Sequence, residues 1–337
     1  MTLGVDQPVN RIGSRDNILI KQLRRLAGHN TEYRRLGQFW IEGDHLCRAA
    51  LERKLIPSVA VFADSFWPLA PAGWARIAAK TVVVPDALFD GISGLQCSAR
   101  VGFLVDLPSG RALRVGVPSV VLDRVQDAGN VGSILRSAAA FGFQQVLSLK
   151  GSAALWSPKV LRAGMGAHFG LDLLEGLEPS EVQSLDVPLI VTSSHQGGLL
   201  QNQTLPWPCA WAFGHEGQGL SEELLSRAAI PVRIGQPGGE ESLNVAAAAA
   251  ICLHASAISR TRAEGCGRSG TSTLGYNEGL SSKQPSQAIS RIKSPSKLLL
   301  PASLGDSPLK GDRPLWERPG SAQHRPAVNL ENTWAHP

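Results

Sequence analysis

Short apolar runs recur along the second half of the chain, and most of them are followed by a polar segment that contains glycine. These runs lie at residues 118–122, 145–149, 189–192, 211–213 and 231–234. Continuous apolar runs bounded by turn residues are typical of buried strands. From Val131 the spacing changes, because apolar side chains recur at helical intervals as far as Phe141, and Gly142 is a suitable helix end. The pattern therefore predicts several strands and at least one amphipathic helix in this region.

The first third of the chain shows a similar mixture on a smaller scale. Residues 18–26 have the periodicity of an amphipathic helix, and three further runs predict short strands at 59–62, 81–84 and 101–105. Alternating strands and helices indicate a small α/β domain. We place this domain at residues 11–108, after a flexible N-terminus of residues 1–10.

Two other segments complete the domain organisation. Pro108-Ser109-Gly110 introduces an interdomain linker at residues 109–117, and the second domain then covers residues 118–260. Residues 261–337 are rich in Ser, Pro and Gly and show no hydrophobic period. Such a segment cannot bury enough apolar surface to offset the entropy lost on ordering, so we expect a disordered tail.

Composition narrows the class of protein. The 337 residues are 43% hydrophobic and carry a net charge of +5, which is compatible with RNA binding without requiring it. Between positions 11 and 54 there are ten Lys or Arg residues and five Asp or Glu residues, so the excess positive charge is concentrated there. The five cysteines are scattered, which argues against a disulfide framework or a zinc site. With no signal-peptide pattern and no apolar run of membrane length, we expect a cytoplasmic protein that binds neither metal nor membrane.

The residues most indicative of a ligand site lie at 235–250, where Gly, Pro, Ser and Asn precede a run of strong helix formers. The turn at residues 235–239 has little side-chain bulk, so a ligand can approach its backbone amides. Ser242 and Asn244 then stand at the N-terminus of the helix predicted from Val245. Taken alone, these two polar residues are also explained as helix caps.

A second polar segment follows the predicted strand at residues 118–122. Asn130 stands where the helix is expected to begin, and Arg136 lies in its second turn. Both side chains can then face the carboxyl end of the strand, which is where ligands bind in open α/β sheets. The alternative is an N-cap and a solvated arginine.

A third segment connects a hydrophobic strand ending at Gly214 to a loop with three glycines. Ser221 is expected to cap the helix that follows, with two glutamates in the first turn. Glu216 lies within the loop. It is a solvated loop acid unless the loop lines a pocket.

In this order, the three segments resemble the three motifs of the SpoU (TrmH) family of RNA ribose 2′-O-methyltransferases, within the SPOUT class. The matching stretches are residues 130–142, 213–221 and 234–245. The resemblance implies an α/β fold with a parallel sheet, whose C-terminal part threads through a loop to form a deep trefoil knot. Such threading is an exception to the general rule against knots. A homodimer is also implied, with the first-motif and C-terminal helices near its interface.

The same resemblance implies S-adenosylmethionine as the cofactor, contacted through the backbone at Gly214, Ile234 and Leu243. Glycine-rich loops suit that task, because their backbone groups can reach the ligand where no side chain intervenes. The implied reaction is attack of a ribose 2′-hydroxyl on the sulfonium methyl group. Its demands are alignment of the two groups and loss of the hydroxyl proton.

Five polar side chains match the family's catalytic positions: Arg136, Asn130, Glu216, Ser242 and Asn244. A guanidinium is a poor proton acceptor, so Arg136 is expected to grip the adjacent phosphate or to polarise the hydroxyl. The two asparagines would orient groups by hydrogen bonds, and Glu216 would hold its loop or a catalytic arginine. Ser242 would cap the last helix while contacting substrate.

The N-terminal domain resembles the ribosomal L30e-type substrate-binding module that precedes many SpoU domains. Arg34 and Arg35 in this module, and Arg162 in the second domain, are the expected RNA contacts; the alternative for each is a solvated surface arginine. Tyr33 and Trp40 lie near these basic residues in the sequence, so we expect the basic side chains to contact phosphate while a base stacks on the aromatic rings.

The module resembles those of members that act on ribosomal RNA, so ribosomal RNA is the expected substrate. Transfer RNA is the alternative within the same class. A catalytically silent RNA-binding or ribosome-assembly factor is the alternative from another class. A Rossmann dehydrogenase is disfavoured, because no GxGxxG motif opens the first βα unit.

Overall fold

The computed structural model describes residues 9–71, 73–93, 100–193, 197–238 and 242–266. Most of the predicted flexible N-terminus (residues 1–8) and of the predicted tail (residues 267–337) lies outside these described residues. Residues 261–266, predicted to be disordered, instead continue the last helix.

The N-terminal part of the described chain contains a five-stranded mixed sheet with the order β1-β4-β3-β5-β2. Its strands are β1 (Asn10–Arg11), β2 (Gln38–Glu42), β3 (Val59–Ala63), β4 (Lys80–Val84) and β5 (Val101–Asp106). Its helices are α1 (Ile18–Gly28), α2 (Glu32–Leu36), α3 (Asp44–Glu52) and α4 (Asp86–Asp90). The central strand β3 is buried at every position, which explains its unbroken apolar run. The predicted helix at residues 18–26 and the three predicted strands are confirmed.

The following part of the described chain is built on a seven-stranded sheet with the order β10-β12-β9-β11-β6-β7-β8, and each neighbouring pair is parallel. Its strands are β6 (Ser119–Asp123), β7 (Gln145–Leu149), β8 (Asp172–Leu177), β9 (Leu189–Thr192), β10 (Gly198–Leu199), β11 (Ala210–Gly214) and β12 (Ile230–Arg233). The five apolar runs correspond to β6, β7, β9, β11 and β12, so those predictions are confirmed. The edge strands β8 and β10 were not predicted.

Four helices accompany this sheet: α5 (Ala128–Ala140), α6 (Pro158–Gly164), α7 (Glu222–Leu225) and α8 (Val245–Cys266). Helix α5 packs closely on α6, because Gly132 leaves no side chain between them; a Cβ there would lie 2.3 Å from the Cβ of Ala163. Helix α8 contacts α5 and β11, and the Trp211 indole donates a 2.8 Å hydrogen bond to the Ser256 hydroxyl. These contacts bring the first and last helices of the domain together.

The two sheets and their helices are connected by contacts around Glu175 of β8. The Tyr33 hydroxyl lies 2.8 and 2.6 Å from the two Glu175 carboxylate oxygens, and the Arg34 guanidinium lies 3.3 Å from one of them. Beside this cluster, the rings of Phe39 and Trp156 pack 4.6 Å apart. The N-terminal sheet and its helices are therefore attached to the second sheet through both polar and aromatic contacts.

The predicted linker at residues 109–117 is also held in place. Arg111 and Arg114 both form ion pairs with Asp172 at the start of β8.

The described helices include none with the length and apolarity needed to cross a membrane. The described residues also contain no group of three or more His, Cys, Asp or Glu side chains placed to hold a metal.

Candidate active site

The first motif begins where β6 ends, and its helix is capped one turn earlier than expected. Asp127 is the N-cap of α5, and its carboxylate accepts a 2.7 Å hydrogen bond from the Asn130 backbone N–H. The prediction that Asn130 occupies the cap was wrong, because Asp127 already fills that position. Asn130 instead lies in the first turn of the helix, with its side-chain amide free to bind elsewhere.

That amide joins all three motifs. The Asn130 Nδ2 donates to Glu216 Oε1 at 3.0 Å, and the Asn130 Oδ1 accepts from Asn244 Nδ2, also at 3.0 Å. Asn130 is thus bonded to residues 86 and 114 positions away in the sequence. The structure brings together three of the five predicted catalytic side chains.

The third motif ends in a helix cap that Asn244 provides. Its Oδ1 accepts hydrogen bonds from the backbone N–H groups of Ala246, at 2.9 Å, and Ala247, at 3.2 Å. The expectation that Ser242 caps α8 was therefore wrong, since Asn244 stands next to the first helical residue and takes this role. Ser242 is exposed and lines a cleft.

Glu216 is held as a carboxylate. Burial alone raises its pKa, but hydrogen bonds from Asn130 and from the backbone N–H groups of residues 216, 126 and 127 outweigh burial and lower it. The side chain is therefore ionised at neutral pH. Within the described part of the chain, Glu216 forms no ion pair with an arginine.

A cleft lies beside these residues at the carboxyl edge of the sheet. It comprises two adjoining cavities of about 340 and 140 Å³, which share Thr192, Ser242, Leu243 and Ala248 in their walls. The three predicted cofactor positions, Gly214, Ile234 and Leu243, all line it, as do Glu216 and Asn244. Ligands bind at this edge in open parallel sheets.

Gly214 is required by the shape of the cleft wall. A Cβ at this position would lie 2.3 Å from the carbonyl carbon of Gly219. The loop can therefore fold back on the end of β11 only if residue 214 has no side chain. This close approach is supported by paired backbone hydrogen bonds between His215 and Gly219.

Arg136 lies apart from this group. It is exposed on α5, does not line the cleft and forms no hydrogen bond or ion pair with any residue that the structure describes.

Ser221 occupies the N-cap of α7 as predicted, although its hydroxyl makes no capping bond. Its backbone N–H instead donates to Asp123.

The three candidate RNA-binding arginines have intramolecular partners. Arg34 pairs with Glu175, Arg35 with Glu32, and Arg162 lies 3.9 Å from Glu42. All three keep part of their side chains accessible to solvent. The idea that two neighbouring aromatic residues stack on a base was wrong, since Tyr33 and Trp40 are 2% and 3% exposed and belong to the core.

Another cavity, of about 420 Å³, is larger than either part of the cleft and lies near the amino end of β9. It is lined by residues 182, 183 and 185–189 and by Arg227 and Ala229, and it contains none of the motif side chains. The chemistry of the lining therefore marks the cleft as the candidate site, whereas the volume of single cavities would not.

Sequence reasoning missed Asp123, Arg124 and Asp127. An aspartate three residues before Asn130 is a capping signal that could have been recognised. The contacts of Asp123 and Arg124 join distant segments and left no local signal.

Fold and site together define an α/β protein with an all-parallel sheet and a ligand cleft at the carboxyl edge. Residues 118–254 match the model of the SpoU rRNA methylase family. The chain is 34% identical over 263 residues to an uncharacterised tRNA/rRNA methyltransferase of Synechocystis sp., with 72% of this chain and 92% of that protein covered. The chain belongs to the SpoU rRNA methylase family.

Two further comparisons are informative. Over 251 residues the chain is 27% identical to the 23S rRNA (guanosine(2553)-2′-O)-methyltransferase RlmP of Bacillus subtilis, with 73% of this chain and 98% of that protein covered. The SpoU methyltransferase AviRb of Streptomyces viridochromogenes, solved with AdoMet, matches with a TM-score of 0.65 at 23% identity. That match covers 73% of this chain and 98% of AviRb, and at this identity it concerns the fold alone.

Proposed function

We propose that this protein is an S-adenosylmethionine-dependent RNA ribose 2′-O-methyltransferase that acts on ribosomal RNA. The observation that carries the proposal is the hydrogen-bonded series Asn244–Asn130–Glu216 beside the cleft. It joins one polar residue from each motif at the sheet edge where ligands bind. The relationship to RlmP, which acts on 23S rRNA, favours ribosomal RNA as the substrate class.

The cleft fits the cofactor in size and in lining. Its larger part alone, at about 340 Å³, is within the range of small-molecule sites, and the glycine-rich loop at its wall exposes backbone groups. Gly214, Ile234 and Leu243 would hold S-adenosylmethionine there. When bound, this group supplies an electrophilic methyl on a sulfonium.

The residues of the chain orient the reaction. Ionised Glu216 accepts from Asn130 Nδ2, which fixes the direction of that amide, and the cap formed by Asn244 fixes the second amide. Their remaining donor and acceptor positions are therefore set before substrate arrives, which is the basis of catalysis by alignment. Exposed Ser242 contacts the substrate at the rim.

Arg136 supplies the positive charge. Because it is exposed and has no intramolecular partner among the described residues, its guanidinium is available to grip the phosphate next to the target ribose or to polarise the hydroxyl. It acts within its own subunit or across a dimer.

Arg34, Arg35 and Arg162 contact the RNA backbone in this proposal. Each is bound to a carboxylate but remains partly exposed, so a phosphate can share or replace that partner. The domain at residues 11–108 acts as an L30e-like substrate-binding module. It is joined by the linker at 109–117 to the methyltransferase domain at 118–260.

The finer architecture is also part of the proposal. The order of the sheet, in which β12 pairs with β9 while α8 returns to β11 and α5, supports a threaded C-terminal segment that forms a trefoil knot. Exposed Ile251 and Ile258 on α8 flank a cavity of about 360 Å³ and support a homodimer through this helix. Cys47, Cys209 and Cys252 are free and buried, which supports a reducing, cytoplasmic location.

The test is transfer of tritiated methyl from S-adenosylmethionine to unmodified total rRNA and, separately, to total tRNA. The products are digested and analysed for 2′-O-methylated nucleosides. We expect ribose methylation in rRNA with the wild-type protein and with the exposed control Asn202→Ala, and a strong loss with Asn130→Ala. Label in tRNA alone would overturn the substrate class, and absence of both label and cofactor binding would favour the silent RNA-binding factor.

A further inference from the structure

An ion pair outside the assigned catalytic set joins the end of β6 to the second-motif loop. Asp123 is the last residue of β6 and is only 2% exposed. Its Oδ1 accepts from the Arg124 Nε at 2.9 Å, and its Oδ2 accepts from the backbone N–H of Ser221 at 2.6 Å. The carboxylate thus binds its neighbour in sequence and a residue 98 positions away.

Arg124 extends this connection to the loop itself. Its Nη1 donates to the Gln218 side-chain oxygen at 3.0 Å, and its Nη2 lies 3.3 Å from the Gly219 carbonyl oxygen. The stem of the side chain lies against Gly151, where a Cβ would approach the Arg124 Cγ to 3.1 Å. The guanidinium is therefore directed at the loop by contacts on more than one side.

The backbone of Arg124 supports this interpretation. Its φ is +58°, in the left-handed region that L-residues seldom adopt. Strained conformations persist where surrounding contacts over-determine them, and they are frequent at functional sites. Here the strained residue is the one that reaches across to the loop.

The loop forms one wall of the cleft. Gly214, Glu216, Gly219 and Leu220 line it, and the loop is held at two places. Asn130 holds Glu216, whereas Arg124 and Asp123 hold the segment from Gln218 to Ser221. Without the second attachment, the hydrogen bonds that the structure describes for residues 217–219 all go to His215: the N–H groups of Gly217 and Gln218 donate to its ring, and Gly219 pairs with its backbone.

We propose that Arg124, held by Asp123, is a positioning residue that sets the cleft wall for cofactor binding. This inference rests on the proposed function, because it assigns S-adenosylmethionine to the cleft. Arg124 contacts the loop rather than the reacting groups. Loss of the Arg124 side chain should therefore weaken cofactor binding more than it lowers the rate of methyl transfer in the bound complex.

The experiment uses the full-length protein and measures S-adenosylmethionine affinity by calorimetry, together with KM and kcat for methyl transfer. Arg124→Ala should raise Kd and KM for S-adenosylmethionine on the order of tenfold, with a smaller change in kcat. Arg124→Lys should restore part of the affinity, because an ammonium can bind Asp123 but lacks the planar fork that reaches two loop oxygens. Arg114→Ala is the matched control, since it removes an arginine–carboxylate pair with Asp172 at the opposite edge of the sheet.

A double-mutant cycle separates positioning from general destabilisation. Gln218→Ala removes the loop partner at an exposed position, and the double variant with Arg124→Ala should bind the cofactor no more weakly than Arg124→Ala alone. The inference would be overturned if the losses in cofactor affinity were additive, or if Arg124→Ala bound S-adenosylmethionine as tightly as Arg114→Ala. In either case, cofactor binding by the wild-type protein would leave the proposed function intact. A wild-type protein that binds no S-adenosylmethionine would overturn the proposed function itself and this inference with it.

Discussion

The side chains of Asn130 and Asn244, which are 114 positions apart in the sequence, form a hydrogen bond of 3.0 Å. Each asparagine is also fixed by a second group: Asn130 by the ionised Glu216, and Asn244 by the N-terminus of α8. Neither amide can therefore rotate without losing a second bond. The site is consequently oriented by the same contacts that hold the first and last helices of the domain together.

Asn244 offers a way to separate its structural role from its chemical role. Asn244→Asp keeps an N-cap oxygen but cannot donate to Asn130, so we expect near wild-type thermal stability and at least a tenfold loss of methyl transfer. Asn244→Ala should lose both, with about 1 kcal/mol of stability removed with the cap. Thermal unfolding and kcat/KM measure the two effects. Full activity in Asn244→Asp would show that the donated hydrogen bond does not matter.

Arg136 is expected to affect chemistry and not cofactor binding. Arg136→Ala should reduce kcat/KM for methyl transfer by roughly 100-fold, a usual size for loss of a group that assists proton transfer or charge stabilisation. Its affinity for S-adenosylmethionine should remain near the wild-type value, because Arg136 does not line the cleft. Calorimetry alongside the activity assay checks this, with Arg114→Ala as the control. Equal loss of binding and activity would contradict the separation of roles.

Two glycines in the second-motif segment form a matched pair. Gly214→Ala places a Cβ 2.3 Å from the Gly219 carbonyl carbon, so the loop must move, at a cost of about 1–3 kcal/mol. Gly217→Ala meets nothing closer than the His215 ring at 3.7 Å. We expect the first variant to lose most of its cofactor affinity and the second to retain it. If both bind equally well, the cleft does not depend on the close approach of the loop.

Buried His168 should make stability depend on pH. Burial lowers the pKa of His168 from 6.5 to about 4, although a hydrogen bond with Leu155 opposes this shift. Between these values the unfolded chain binds more protons than the native one, so stability is complete above pH 6.5 and falls as the pH drops towards 4, by up to about 3 kcal/mol.

Urea unfolding between pH 4 and 7 measures this effect. His168→Gln should show a smaller loss of stability across that interval than the wild type, whatever its absolute stability. The exposed His29→Gln serves as the control and should follow the wild-type curve. An unchanged slope in His168→Gln would refute the assignment.

Arg34 and Tyr33 share a partner but differ in their expected contact with RNA. Burial and the neighbouring Glu175 raise the pKa of Tyr33, so its hydroxyl stays protonated and donates to that carboxylate. Tyr33→Phe should cost about 1–2 kcal/mol in unfolding free energy and leave rRNA affinity unchanged. Arg34→Ala should cost less stability, since its side chain is half exposed, but should weaken rRNA binding. Filter binding at fixed salt compares the two, and equal affinities would remove Arg34 from the RNA interface.

Sequence pattern predicted the elements that are buried on both faces. The strands β6, β7, β9 and β11 were recognisable because a parallel sheet covered by helices requires continuous apolar runs, whereas β12 was predicted although only Val232 in it is buried. Edge strand β8 reads Asp-Leu-Leu-Glu-Gly-Leu and is only partly buried, and β10 has two residues, so neither carries that signal.

The polar residues that the structure places around the cleft could be selected from the sequence, whereas their local geometry could not. Asp127 and Asn130 are both good capping residues, as are Ser242 and Asn244, and sequence alone does not decide between members of each pair. The partners of Tyr33 and Arg34 lie 142 and 141 positions away, so their burial and pairing could only be seen once the domains were folded together. Local propensity describes caps and periods, whereas these contacts depend on tertiary packing.

The position of Asn244 also has a consequence for timing. Chains emerge from the ribosome N-terminus first, so Asn130 and Glu216 are both synthesised before Asn244, which holds the other side of the Asn130 amide. A nascent chain that has completed β12 already contains most of the cleft wall but lacks the cap of α8 and the bond to Asn130. Assembly of the oriented site therefore waits until α8 has been synthesised and has docked, so the cleft is complete only after the last helix of the fold is in place.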